Sequence, residues 1–236
     1  MNEERTPGAA GFSSGLLVLL LLMALGWGLN WPIMKFVIGS VPPLTFRGFC
    51  LVLGGLGLLA LARLGGQTLW PPPGKWPVLA WLALANILGW NVLTIYGIAY
   101  LPSGRAALLG YTMPIWSMSL SVLWLGDRLT PRRAVGLALG GAGVLAMMGV
   151  ELSQLAGMPL GALLMLGAAW SWALGVVSLK RWNVGMAPLV LSGWLMLLGG
   201  TPVALAACAL EHSAWRWPGF WPALGLVYNV LIAFMF

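Results

Sequence analysis

The chain repeats itself at a fixed offset of 145 residues. Trp27, Lys35, Pro43, Leu44, Gly48, Gly54, Gly55, Trp70, Pro73, Gly74, Trp76 and Pro77 recur as Trp172, Lys180, Pro188, Leu189, Gly193, Gly199, Gly200, Trp215, Pro218, Gly219, Trp221 and Pro222. Laying residues 16–91 over 161–236 without a gap gives 20 identities in 76 positions. Two apolar stretches would match often through Leu and Ala alone. Half of these matches are instead Gly, Pro and Trp, and they fall in loops as well as in apolar runs. A repeat of this kind dictates architecture before any local reading.

The repeat lies in a chain made for lipid. Hydrophobic residues make up 60% and charged residues 7% of the 236, and the mean hydropathy is +0.92. A soluble domain carries roughly a quarter charged residues, so a water-facing shell is excluded and the bilayer is the expected partner. The first residues include Glu3 and Glu4, and no small-residue cleavage site follows the apolar run from Leu16, so the start does not read as a secretory signal. The net charge of +7 does not indicate a nucleic-acid partner, because the basic residues are scattered at span ends rather than gathered on a face. Cys50 and Cys208 sit inside apolar segments and read as buried spectators.

A helix needs about 20 apolar residues to cross the hydrocarbon core. The segments are Leu16–Ile38, Leu44–Ala62, Trp76–Ala99, Ala106–Leu125, Ala134–Val150, Leu160–Leu179, Leu189–Leu210 and Trp221–Phe236. Pro- and Gly-rich breakers separate them, such as Val41-Pro42-Pro43 and Gly157-Met158-Pro159. The expected fold is an all-α membrane bundle of about eight spans. Residues 1–14 form a cytoplasmic tail, 15–150 a first five-helix repeat, and 160–236 a second repeat truncated after its third helix. Five is odd, so the two copies would insert upside down relative to one another.

Lys and Arg give a separate signal of orientation. Arg5, Arg63, Lys75, Arg128, Arg132, Arg133, Lys180 and Arg181 fall on the N-terminal side, and Lys35, Arg47, Arg105 and Arg216 on the other. Eight against four puts the N-terminus in the cytoplasm, with the first span running outward and its repeat partner inward. Phe236 aligns with Asn91, mid-span in the first copy, which makes a piece of a ten-helix protein the expectation.

Polar side chains at membrane depth are costly and usually face the bundle interior. In the first span Trp27, Asn30, Trp31 and Met34 fall at i, i+3, i+4 and i+7, on one helix face. In the third, Asn86, Trp90 and Thr94 share a face, with Asn91 beside them. The fourth carries Tyr111 and Thr112, and the sixth Trp172 beside Ser171, Gly175 and Ser178. One reading is a cavity of aromatic walls with a few amides, suited to a small amphipathic solute. The candidate solute-binding residues are then Trp27, Asn30, Trp31, Asn86, Trp90, Asn91, Tyr111 and Trp172. The other is helix packing and interfacial anchoring. Packing suits Ser171, Gly175 and Ser178, and a belt suits Trp70, Trp76, Trp215, Trp217 and Trp221.

Pro32 and Pro114 lie inside spans as kinks or as breaks beside a site. Lys35, Arg47 and Arg105 lie near outer span ends. They either snorkel to the surface or form an anion-facing mouth. Asp127, Glu151 and Glu211 are all at span ends, so no mid-membrane carboxylate suggests a proton relay. His212 is the single histidine, and neither a metal cluster nor a nucleophile with its base accompanies it. An intramembrane enzyme, a scaffold and a channel remain as alternatives to a carrier, and nothing calls for a cofactor or metal.

Leu-Gly-Trp-Gly-Leu-Asn-Trp-Pro at 25–32, Pro-Leu-Thr-Phe-Arg-Gly at 43–48, Leu-Gly-Asp-Arg-Leu-Thr-Pro-Arg at 125–132 and Gly-Ala-Ala-Trp-Ser-Trp-Ala-Leu at 167–174 together resemble EamA-type carriers of the drug/metabolite transporter superfamily. The resemblance implies ten spans in two inverted five-helix repeats, cytoplasmic termini, a central cavity and alternating access for amino acids, metabolites or drugs. Asp127 departs from it, standing where such carriers more often have Glu, and the ninth and tenth spans are missing.

Overall fold

The computed structural model describes residues 14–152 and 159–235, with side chains over 15–146 and 160–235. The expected tail over 1–13, the side chain of Glu151, the breaker at 157–158 and Phe236 fall outside that description. Among the described residues the chain is helical and strand-free. The helices are α1 (Ser14–Val37), α2 (Pro43–Leu64), α3 (Trp76–Tyr100), α4 (Ser103–Leu125), α5 (Pro131–Leu152), α6 (Pro159–Arg181), α7 (Pro188–Leu210) and α8 (Phe220–Phe234). Among the described residues six of them, α1 to α4 with α6 and α7, are long and apolar enough to cross a membrane, and α8 is shorter. The chain is an integral membrane protein of multi-span helical type.

Proline opens the first turn of α2, α3 and α7, where a missing N–H costs nothing. Gly126 ends α4 at φ 70°, a left-handed conformation that favours glycine. Lipid-facing apolar side chains cover the outside, with Leu21, Leu123 and Leu145 well exposed.

Lipid gives helices no hydrophobic reason to associate, so close packing through small residues takes over. The main seam joins α2 to α7. A Cβ on Gly48 would sit 2.7 Å from Ala204 Cα, and one on Gly193 would sit 2.8 Å from Leu59. Gly55 faces Leu197, and Gly200 faces Leu51 and Val52. Contacts rise along α2 as they fall along α7, so the helices are antiparallel. Shifting residue numbers by 145 exchanges Gly48–Ala204 with Gly193–Leu59, and Gly55–Leu197 with Gly200–Val52. The seam is therefore self-reciprocal about a pseudo-twofold axis perpendicular to both helices.

Two flanking seams follow the same relation. α3 packs on α6 and α8 packs on α1. Ser171 donates to the Ala85 carbonyl at 2.6 Å, Ser178 accepts from the Trp81 indole at 3.0 Å, and a Cβ on Gly175 would lie 2.5 Å from Asn86 Cβ. These three residues are helix-packing contacts, as the small-residue reading expects. Across the axis, Tyr228 donates to the Gly26 carbonyl at 2.5 Å.

The repeat extends to a backbone irregularity. α3 widens into a π-helical stretch over Ala83–Gly89, and α8 does so over Asn229–Phe234. The two stretches overlap under the 145-residue shift. A π-turn places residues five apart on one side, which brings Asn86 and Asn91 to the same face. Asn91 donates to the Ile87 carbonyl at 2.8 Å and Asn229 to the Gly225 carbonyl at 3.1 Å. α4 breaks at Tyr111 and Thr112, just before Pro114, and Thr112 Oγ1 donates to the Leu109 carbonyl at 2.7 Å. Pro32 stays inside a continuous α1.

Candidate functional site

A cavity of about 320 Å³ opens between the two sets of helices. Its walls are Met23, Trp27, Asn30, Trp31 and Met34 from α1, Arg47 from α2, and Asn86, Ile87, Trp90, Asn91 and Thr94 from α3. Trp172 of α6, Ser192, Leu195 and Met196 of α7, and Ala233 and Phe234 of α8 complete it. Both π-turns therefore border the space. Equivalent positions of the two copies both line it: Trp27 has Trp172 as its counterpart, and Arg47 has Ser192.

The aromatic side chains form a continuous series. Trp90 packs on Trp172 with ring centroids 5.3 Å apart, and Trp31 meets Trp90 edge-on at 6.5 Å. Trp31 in turn meets Tyr111 edge-on at 5.9 Å and donates its indole N–H to the Tyr111 hydroxyl at 3.2 Å. Rigid aromatics of this kind supply apolar area with few rotamers to fix.

Seven of the eight residues selected from the sequence line the cavity. Tyr111 does not; it is half-exposed and stands behind Trp31. α4 breaks at Tyr111–Thr112, so a face read along a continuous fourth helix does not place Tyr111. Asn30 and Asn91 are buried, and Asn86 donates to the Trp172 carbonyl at 3.4 Å. Trp27 is 45% exposed and forms the rim.

Arg47 was read as an outer-end cation, yet it lies at the cavity wall with 3% of its surface exposed. Its Nη2 reaches Met34 Sδ, and its guanidinium carbon lies 5.0 Å from the Phe46 ring centroid and 5.7 Å from that of Phe234. One sequence signal points inward. Arg47 stands seven residues before Gly54, on the stripe with Cys50 and Leu51, all of them buried. Lys35 does something different: its Nζ donates to the carbonyls of Ile98 and Ala99 at 2.7 and 2.8 Å, closing the C-terminal end of α3.

Buried polar atoms gather at the cavity. Asn30 Oδ1, Arg47 Nε and Thr94 Oγ1 are buried without a hydrogen-bond partner, a rare condition in a native interior. Trp70, Trp215, Trp217 and Trp221 are exposed, as an interfacial belt requires. His212 lies in a short turn after α7, and among the described residues no three His, Cys, Asp or Glu side chains converge. The carboxylates Asp127 and Glu211 are engaged elsewhere, the first with Lys180 and the second at the start of α2.

Comparison with known proteins adds the family. The chain is 34% identical over 196 residues to the uncharacterized transporter YvbV of Bacillus subtilis, covering 77% of this chain and 62% of that one. It is 32% identical over 154 residues to the uncharacterized inner membrane transporter YedA of Escherichia coli, covering 64% of this chain and 48% of that one. The chain thus spans less than two thirds of the length of either relative. A solved crystal structure shares the fold at a TM-score of 0.68 and 22% identity, over 94% of this chain and 74% of the other. The pattern of the EamA-like transporter family matches residues 14–149, more than half of the sequence. The motifs, the helical repeat and that match agree: the chain belongs to the EamA-like transporter family.

Proposed function

We propose that the chain carries a small organic solute across a bacterial cytoplasmic membrane by alternating access, with its N-terminus cytoplasmic. The solute sits against Trp27, Asn30, Trp31, Asn86, Trp90, Asn91 and Trp172. The observation that carries this reading is the cavity itself, enclosed by pseudo-symmetric helices and lined by equivalent residues of both repeats. Secondary carriers of inverted-repeat type bind near the midplane at the repeat interface and rock one part against the other. The inner-membrane setting of YedA and the bias of basic residues support the location and orientation. At one end of the bundle Lys75 donates to the Asn183 carbonyl, Lys180 pairs with Asp127 and Arg181 donates to the Trp124 carbonyl, which gathers cations there.

The test is counterflow in proteoliposomes, with a panel of labelled metabolites on one side and unlabelled solute on the other. Saturable exchange that falls at least tenfold in Asn30→Ala, with unchanged protein in the vesicles, is the expected result. Flux that does not saturate points to a channel, and full exchange by Asn30→Ala removes the cavity from the pathway.

A further inference from the structure

We propose that the cavity selects organic anions: a carboxylate docks on Arg47, and an apolar or aromatic body lies among Trp27, Trp90 and Trp172. The proposal rests on the cavity being the solute site.

The argument begins with a charge that lacks a mate. Arg47 is buried, its Nε has no partner, and its Nη2 meets only the thioether of Met34, a weak acceptor. Among the described residues no carboxylate pairs with it. Asp127 binds Lys180, and Glu211 accepts from Leu44 and Thr45. A buried charge normally has a hydrogen-bonded counter-charge. Arg47 belongs to the cavity wall, so a bound anion would supply the missing partner. A planar carboxylate matches the fork of guanidinium N–H groups.

The aromatic wall alone would suggest the opposite choice, because tryptophan cages bind organic cations. Arg47 decides against it, since a cation entering the same space meets a positive charge with no carboxylate between them. The repeat locates the charge on one side only, for the equivalent of Arg47 is the neutral Ser192, also on the wall. Asn30 Oδ1 and Thr94 Oγ1 are unpartnered as well. They offer acceptors to an N–H or O–H elsewhere on the same solute.

Three probes of one size separate the cases: 3-phenylpropionate, 3-phenylpropionamide and 3-phenylpropylamine. Saturable binding is measured by equilibrium dialysis on the detergent-purified full chain, for the unmodified protein and for Arg47→Gln and Arg47→Lys. The carboxylate is expected to bind at least tenfold tighter than the amide, and the amine weakest. Arg47→Gln brings carboxylate and amide within threefold of each other, and Arg47→Lys keeps an intermediate preference. If Arg47→Gln does not elute as a folded species, the carboxylate-to-amide ratio of the unmodified protein and of Arg47→Lys decides. A ratio near one, tightest binding of the amine, or a preference that survives Arg47→Gln overturns the proposal. Should the amide bind and lose affinity in Trp172→Ala while the carboxylate gains nothing over it, the solute site stands and anion selection falls. Should Trp172→Ala and Asn30→Ala leave every probe unchanged, or should no probe bind saturably, both readings fall.

Discussion

Trp31 donates its indole N–H to the hydroxyl of Tyr111 at 3.2 Å, between α1 and α4, and only Trp31 faces the cavity. The pair thus joins a wall residue to a support. Tyr111→Phe removes the acceptor and keeps the ring, at a cost of about 1 kcal/mol of stability. Binding of 3-phenylpropionate should stay within about twofold, because that cost does not fall on the solute. Trp31→Ala should weaken binding by about tenfold or more, equivalent to roughly 1.4 kcal/mol. Thermal unfolding in detergent and dialysis on the two variants check both halves.

The α2–α7 seam makes a steric prediction. Gly48→Ala pushes a methyl against the Ala204 backbone, where no side chain can rotate away. Overpacking of this kind costs about 1–3 kcal/mol. Gly28→Ala is the control, since nothing lies within 4 Å of a Cβ there. Gly48→Ala should lower the unfolding temperature measurably and Gly28→Ala should not; equal behaviour of the two would mean that the seam is looser than drawn.

Glu211 ties the end of α7 to the start of α2. It accepts from Leu44 N at 3.0 Å, from Thr45 N at 2.7 Å and from Thr45 Oγ1 at 2.8 Å, while Trp215 donates to Thr45 Oγ1 at 2.8 Å. The N-terminal end of a helix favours an anion. Glu211→Gln should cost about 1.5–3 kcal/mol, the range for hydrogen bonds to a charged group. Denaturation midpoints in detergent measure it, and binding of 3-phenylpropionate should not change because Glu211 is not on the cavity wall.

Lys35 and Arg47 offer a contrast within one end of the bundle. Lys35 closes the carbonyl end of α3, so Lys35→Met should cost about 1–2 kcal/mol and leave the carboxylate-to-amide binding ratio intact. A ratio that collapsed in Lys35→Met would place the anion with Lys35 instead.

Helical periodicity made much of the cavity legible in the sequence. Trp27, Asn30, Trp31 and Met34 share one face, and all four line the wall. The fold class followed from apolar run length and the repeat. Three things were hidden for physical reasons. Arg47 sits just one turn into α2, where a long cation can usually reach water, but it is buried with Met34 of α1 and Phe234 of α8 against it. Tyr111 belongs to a helix that breaks beneath it. The joint presence of Asn86 and Asn91 depends on a π-turn, because an ideal α-helix would rotate one of them aside. The corresponding stretch in α8 shows how the repeat could have revealed it only after both backbones were known.

The self-reciprocal seam of α2 and α7 has a mechanical consequence. If the proposed alternating access pivots on this seam, its matched glycines favour neither direction of tilt, because Gly48 exchanges roles with Gly193 and Gly55 with Gly200. Any preference between the two tilts must then come from positions where the copies differ. Arg47 against Ser192 is the most strongly charged of those around the cavity. In the proposed transport cycle, the choice of which side rests open would then lie with a handful of unmatched side chains and with whatever occupies the space between them.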